Sequence, residues 1–362
     1  MVTKEKTIEI YQGDYKLKFG FIYDACAQIS FYMKDGMSYD YQTNKPYTHI
    51  HAVSPSLHMA GWNYPFLWED SCFLNLSEWV KQDKEFPDEN FDYILYANER
   101  VGLDPDTKHL YTTERLQERY PNAKIFAWFK EVHLPERPGR QRLREENRIE
   151  WLKGFGNNMI LGALSCMKDL PVIKQIEKKL GLEIKHFISC PINIEGLFNS
   201  FYSNEKELSV YSYLTNPVYR RVNTWDFSKY LATKYNVPLR FKPLEISQDF
   251  SYMSQKQFIE SWSQSLFHIN LDPHITQPGQ QAIQVACVGS LNIGGMNESH
   301  QHLFPETATT DLKVVEEKFK EYLMDEYSRF RAIEYAWNKV NELYSYDVVR
   351  KQLLDVFDKY EG

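Results

Sequence analysis

The sequence predicts an α/β fold of two successive domains, with a cleft between them and a helical C-terminal tail. Three observations predict it. At 362 residues the chain exceeds what one hydrophobic core usually supports, so two domains are expected. Short apolar runs rich in β-branched and aromatic residues alternate with stretches long enough for helices, which is the pattern of parallel βαβ units. From about residue 311 onward, Lys, Glu, Leu, Tyr and Phe recur at helical spacing through VVEEKFKEYLMDEYSRFRAIEYAWNKVNELY.

The elements follow in order. KLKFGFIYD (16–24), THIHAVS (48–54), FDYILYAN (91–98), KIFAWFKEV (124–132), NMILGAL (158–164) and KHFISCPI (185–192) read as strands of a first domain. Between them YTTERLQERY and LPVIKQIEKKLG read as helices. A second series begins with the strand ELSVYSYL (207–214) and the amphipathic helix TWDFSKYLATKY (224–235). It continues with the strand VPLRFKPL, the helix SQKQFIESWSQ and the strand SLFHINLD (265–272). HITQPGQQAIQVACVGSLNIGG (274–295) then supplies a turn, a further helix and a further strand. The segment 194–207 is polar, Asn-rich and without a clear period, so the boundary is placed there. The expected domains are 1–200 and 201–362, the latter carrying the C-terminal helices.

Composition narrows the function. The 43% hydrophobic and 25% charged fractions are those of a globular protein. A formal net charge of −7 argues against a protein that coats nucleic acid non-specifically, though not against a local basic patch. The five cysteines form no CxxC pair, so neither a disulfide framework nor a zinc ribbon is indicated, and a reducing cytoplasm is expected. The N-terminus lacks a signal-peptide core, and no run approaches about eighteen apolar residues, so no transmembrane segment is expected.

In α/β domains ligands sit beyond the carboxyl ends of the strands, so chemistry is sought there. After the strand 207–214, TNPVYRRVNTW places Arg220 and Arg221 just before a helix. Their guanidinium forks suit phosphate, and the helix start adds free N–H groups and partial positive charge. In ITQPGQQAIQ the turn at Gly279 lets backbone approach a ligand, while Gln280, Gln281 and Gln284 offer amides to hydroxyls. The run RPGRQRLR (137–144) reads as a solvated loop, with an acceptor phosphate contact as the alternative. His274, Glu298, His300 and His302 fit no standard zinc spacing.

The order of elements and the stretch 267–308 resemble the GT-B glycosyltransferases, in particular the retaining group with two Rossmann-like domains. Gly279 matches the glycine of that family's turn, and Ala286 to Gly289 its small-residue run. Phe304 and Pro305 stand where the family has them in the following segment. The family's two glutamates, eight apart, fall at Thr276 and Gln284, neither of which is acidic. The resemblance implies transfer of a sugar from a nucleotide-sugar donor such as a UDP-sugar to an acceptor hydroxyl. It places the donor on the second domain, the acceptor on the first, and C-terminal helices that cross back. Arg220, Arg221, Thr276, Gln277, Gly279, Gln280, Gln281 and Gln284 would bind the donor. Glu99, Lys130 and Glu131, after two central strands of the first domain, would act on the acceptor and the departing phosphate. No DxD pair stands in a donor loop, so transfer without a metal or other cofactor is expected. A glycan, a glycolipid precursor and a hydroxylated base in DNA remain open as acceptors. The alternatives are a nucleotide-sugar-binding protein without catalysis and a sugar-nucleotide epimerase of similar fold.

Overall fold

A computed structural model describes residues 17–23, 31–34, 37–40, 45, 64, 66–68, 70–75, 90–97, 113–129, 140–212, 224–241, 259–260, 262–273 and 280–359. The expected strand 48–54 lies outside them. The chain divides into two compact units. Among the described residues, the N-terminal unit holds those up to Pro191 together with the segment from Tyr346 onward, and the C-terminal unit holds Ile192–Ser345. The division thus falls before the expected 200/201 boundary, and the last helix groups with the first part of the chain.

The N-terminal unit is built on an eight-stranded sheet. Its strands are β1 Phe19–Tyr23, β2 Phe31–Lys34, β3 Met37–Asp40, β4 Ser71–Asn75, β5 Tyr93–Ala97, β6 Lys124–Phe129, β7 Met159–Leu161 and β8 His186–Phe187. Their order is β3-β2-β4-β1-β5-β6-β7-β8, and every pairing is parallel except those of β2. The helices α1 Thr113–Arg119, α2 Arg140–Lys153 and α3 Pro171–Leu180 lie between the later strands. β5 reads YILYA and is buried throughout, as a parallel strand covered on both faces must be. From Arg140 the basic run expected as a loop is helical instead, forming the first turn of a strongly polar helix whose later part buries Ile149 and Leu152.

Side-chain packing holds the carboxyl edge of this sheet. Trp128 donates from Nε1 to the Tyr64 hydroxyl at 3.2 Å, and Tyr64 donates to the Ser189 carbonyl at 3.1 Å. Gly162 beside them has no room for a side chain: an added Cβ would lie 2.8 Å from the Trp128 ring.

The C-terminal unit opens with α4 Ile194–Phe201, where the sequence suggested an aperiodic linker. Asn193 caps it, accepting from Gly196 N at 2.8 Å, and Phe198 packs on Trp337 with ring centroids 4.5 Å apart. The cap and an apolar face that packs on a distant aromatic partner make this segment a helix. A parallel sheet follows, ordered β10-β9-β11-β12 and made of β9 Glu207–Ser212, β10 Leu239–Phe241, β11 Ser265–Ile269 and β12 Leu291–Ile293. Helix α5 Thr224–Tyr235 joins β9 to β10, and α6 Gln280–Cys287 joins β11 to β12. The tail forms α7 Glu298–Leu303, α8 Leu312–Met324 and α9 Glu326–Tyr344, then α10 Tyr346–Asp358 of the N-terminal unit. Phe319 of α8 and Phe267 of β11 meet at 4.8 Å between ring centroids, so the apolar stripe of the tail seals the sheet as expected.

Candidate functional site

The carboxyl ends of the C-terminal sheet are level. Ser212 of β9 pairs with Phe241 of β10 and with Ile269 of β11, and Ile269 pairs with Ile293 of β12. Two helices begin beside these ends, and both are tied to the segment leaving β11. Thr224, the first residue of α5, accepts through Oγ1 from Leu271 N at 3.3 Å. Gln281, in the first turn of α6, accepts through Oε1 from the Asn270 amide at 3.1 Å. Two helix N-termini, whose first N–H groups have no partner within the helix and which carry partial positive charge, therefore flank residues 270–272.

Glycine lets the strands come together here. Gly294 and Gly295 follow β12 with φ of 87° and 92°, a region side chains disfavour. A Cβ on Gly295 would lie 2.7 Å from the Asn270 carbonyl oxygen and 2.9 Å from His300 Nδ1. His300 is fully buried, and burial pushes its ring down to about 3 against the nearby Asp272 charge, so it is neutral. It meets the Asn292 amide. Among the described residues no group of three or more His, Cys, Asp or Glu is placed to hold a metal ion.

Polar groups without partners gather at this edge. Gln281 Nε2 and Ser212 Oγ are sealed from solvent and make no hydrogen bond among the described residues. Gln284 is 6% exposed, and no described residue pairs with its amide. A buried unsatisfied donor costs about 1–3 kcal/mol. Such groups at a strand-end, helix-start edge suit a polar ligand, which would recover part of that cost.

Of the residues singled out in the sequence, Gln281 and Gln284 fall at this edge, and Gln280 is the first residue of α6. Arg220, Arg221, Thr276, Gln277 and Gly279 lie outside the described residues, in the segments leading into α5 and α6. Glu99, Lys130 and Glu131 also lie outside them, just beyond the ends of β5 at Ala97 and β6 at Phe129. The sequence reading missed Asn270, Thr224 and Ser212. Asn270 did carry a signal, being a polar residue directly after the end of a strand in SLFHINLD.

Two α/β units in one chain, one on a mostly parallel and one on a parallel sheet, have the make-up of a GT-B fold. Solved structures show the same fold. The chain is similar to an alpha-glucosyltransferase in complex with UDP, with a TM-score of 0.57 and 9% identity, covering 94% of this chain and 100% of that one. It is similar to alpha-glucosyltransferase in complex with UDP and a 13-mer DNA containing a HMU base, with a TM-score of 0.57, 10% identity, and coverage of 94% and 100%. Anabaena HepE in complex with UDP and glucose follows at a TM-score of 0.50 and 10% identity, covering 78% of this chain and 81% of that one. At such identities the likeness is one of fold. No family model matches the sequence. No curated protein sequence matches it. No helix among the described residues is long and apolar enough to cross a membrane.

Proposed function

We propose that the chain is a glycosyltransferase that moves a sugar from a uridine diphosphate donor to an acceptor hydroxyl. The observation that carries this reading is the convergence of the α5 and α6 N-termini on residues 270–272, with Gln281 and Gln284 left as open amides. The two helix starts and Arg220 and Arg221 hold the diphosphate, while Gln284 meets the ribose. Thr276, Gln277, Gly279 and Gln280 line the approach to the sugar.

In the transfer, the bond from the anomeric carbon to the diphosphate oxygen breaks and a bond to the acceptor oxygen forms. Negative charge grows on the departing phosphate, where preorganised donors lower the barrier. Glu99 or Glu131 orients the acceptor hydroxyl, Lys130 offsets charge on the leaving group, and the acceptor proton passes to a carboxylate or to the departing phosphate. The donor set consists of amides, hydroxyls, backbone N–H groups and guanidinium groups, which supports transfer without a metal.

The acceptor favoured is a hydroxylated base in DNA. The support is the likeness to alpha-glucosyltransferase structures that contain DNA together with UDP or UDP-glucose. A glycan or glycolipid hydroxyl is the competing acceptor. The test is UDP release from UDP-glucose with duplex DNA bearing 5-hydroxymethylated pyrimidines, and with glycan acceptors, each with and without a chelator. Release that requires the modified DNA and survives the chelator is the expected result. Release with glycans alone reassigns the acceptor. Tight UDP-sugar binding with no release from any donor leaves a binding protein, and isomerised donor without acceptor identifies an epimerase.

A further inference from the structure

We infer that Asn270 is a positioning residue that turns the Gln281 side chain so that α6 presents a hydrogen-bond donor, never an acceptor, to a phosphoryl oxygen. The inference rests on the reading of a diphosphate at the α6 N-terminus, and it concerns a residue that touches no ligand.

The argument starts from a group whose polarity is fixed. The backbone N–H of Asp272 is a donor and meets Asn270 Oδ1 at 3.2 Å. That contact fixes the Asn270 amide, since the other orientation would set two donors against each other. Asn270 must then offer Nδ2, which reaches Gln281 Oε1 at 3.1 Å. With Oε1 taken, the Gln281 amide has only Nε2 left. That atom is sealed and without a partner among the described residues. One backbone N–H thus sets the polarity of a side chain two hydrogen bonds away.

Asn270 is well held for this task. It is 5% exposed, and its own N–H donates to the Ile293 carbonyl at 3.2 Å. Its carbonyl is walled by Gly295, where a Cβ would come within 2.7 Å. These contacts hold the Asn270 backbone, and the bond from Asp272 N holds its side-chain oxygen. Nearby Gln284, 6% exposed and unpaired among the described residues, adds a second open amide to the same helix. A donor at a helix start favours a ligand oxygen that carries lone pairs and no hydrogen, which is the chemistry of a diphosphate at neutral pH.

The test uses the full chain, with calorimetric titration of UDP and of inorganic pyrophosphate. In Asn270→Asp the side chain still accepts from Asp272 N but cannot donate to Gln281. The Gln281 amide then inverts and turns Oε1 toward the ligand. Both probes should bind about 10- to 100-fold more weakly, the scale of one hydrogen bond to a charged group made repulsive. As pH falls and the introduced acid is protonated it can donate again, so the deficit relative to the unmodified chain should close. In a Gln281→Ala background Asn270→Asp should cost nothing further. Gln281→Glu, which keeps the bond from Asn270 but presents a second carboxylate oxygen, should lose both probes even if Asn270→Asp fails to fold. The inference is overturned if Asn270→Asp or Gln281→Glu binds UDP like the unmodified chain, if the deficit is independent of pH, or if it persists without Gln281. Binding of pyrophosphate but not UDP, with the same sensitivity to both variants, would uphold the donor site and refute the nucleotide reading. UDP binding indifferent to both variants would do the reverse, and binding of neither probe would refute both.

Discussion

Phe357 lies flat on Tyr93, with ring centroids 3.8 Å apart and planes 10° from parallel. A residue five from the end of the chain thereby closes the core over β5, with Phe126 at 5.6 Å and Phe19 at 6.4 Å completing the cluster. The C-terminal helix is part of the N-terminal unit's interior.

Phe357→Ala should therefore destabilise the N-terminal unit. The ring is 1% exposed, and truncating a buried Phe costs about 3–5 kcal/mol through lost burial and the cavity left behind. Phe357→Leu, which keeps most of the volume, should cost less than half of that. Denaturant unfolding followed by tryptophan fluorescence measures both, and equal effects of the two variants would show that ring stacking and not volume is what matters.

Gly162→Ala should also destabilise, by about 1–3 kcal/mol through overpacking. The new methyl would meet the Trp128 indole at 2.8 Å, and the indole is tethered to the Tyr64 hydroxyl, so it cannot retreat without breaking that bond. A shifted tryptophan emission together with a lowered unfolding midpoint is the expected signature. An unchanged midpoint would mean that the Trp128–Tyr64 pair moves freely.

Particular residues explain which parts of this fold were legible. β5, and β6 after its first residue, announce themselves as unbroken apolar runs because parallel strands are covered on both faces, while β9 and β11 mix buried Ser and His into theirs. Helix α4 was not read as one, because it is only eight residues long and Phe198 finds its partner at Trp337, far along the chain. The antiparallel pair β2 and β3 was missed for a related reason: two four-residue strands beside a parallel sheet give little periodicity to read. At the site, Gln281 and Gln284 could be picked out because Gly and Pro mark the turn before α6. Asn270 could not be given a role, because its meaning lies in a bond to the Asp272 backbone that depends on how the chain leaves β11. Nor could Thr224, whose partner Leu271 sits on another strand's exit.

Gln284 offers a separation of function from stability. Its amide pairs with no described residue although the side chain is 6% exposed. Gln284→Met keeps the volume and removes only polar atoms that the folded protein does not satisfy. Unfolding stability should stay within about 1 kcal/mol of the original or rise, because no protein hydrogen bond is lost. UDP affinity should fall about tenfold, the worth of one hydrogen bond to the nucleotide. Loss of stability with unchanged UDP binding would make Gln284 a structural residue.

The last prediction concerns pH. Lys206, ahead of β9, donates to the Ser263 carbonyl and to the Phe201 carbonyl at 3.4 Å, and burial pushes its pKa down to about 8 from the usual 10.5. The folded chain thus releases this proton before the unfolded chain does. Between about pH 8 and 10.5 the unfolded state binds more protons, so this group makes stability rise with pH, by up to about 1.4 kcal/mol per unit. Below pH 8 both states are protonated and the cost of burying the charge is present in full. Lys206→Met carries no such cost, so its stability relative to the unmodified chain should be greatest below pH 8 and decline toward pH 10.5. Taking that difference cancels the tyrosines and other lysines that titrate in the same range. A difference that stays flat from pH 7 to 10.5 would mean that Lys206 keeps its ordinary pKa, with its ammonium reaching water past the two carbonyls.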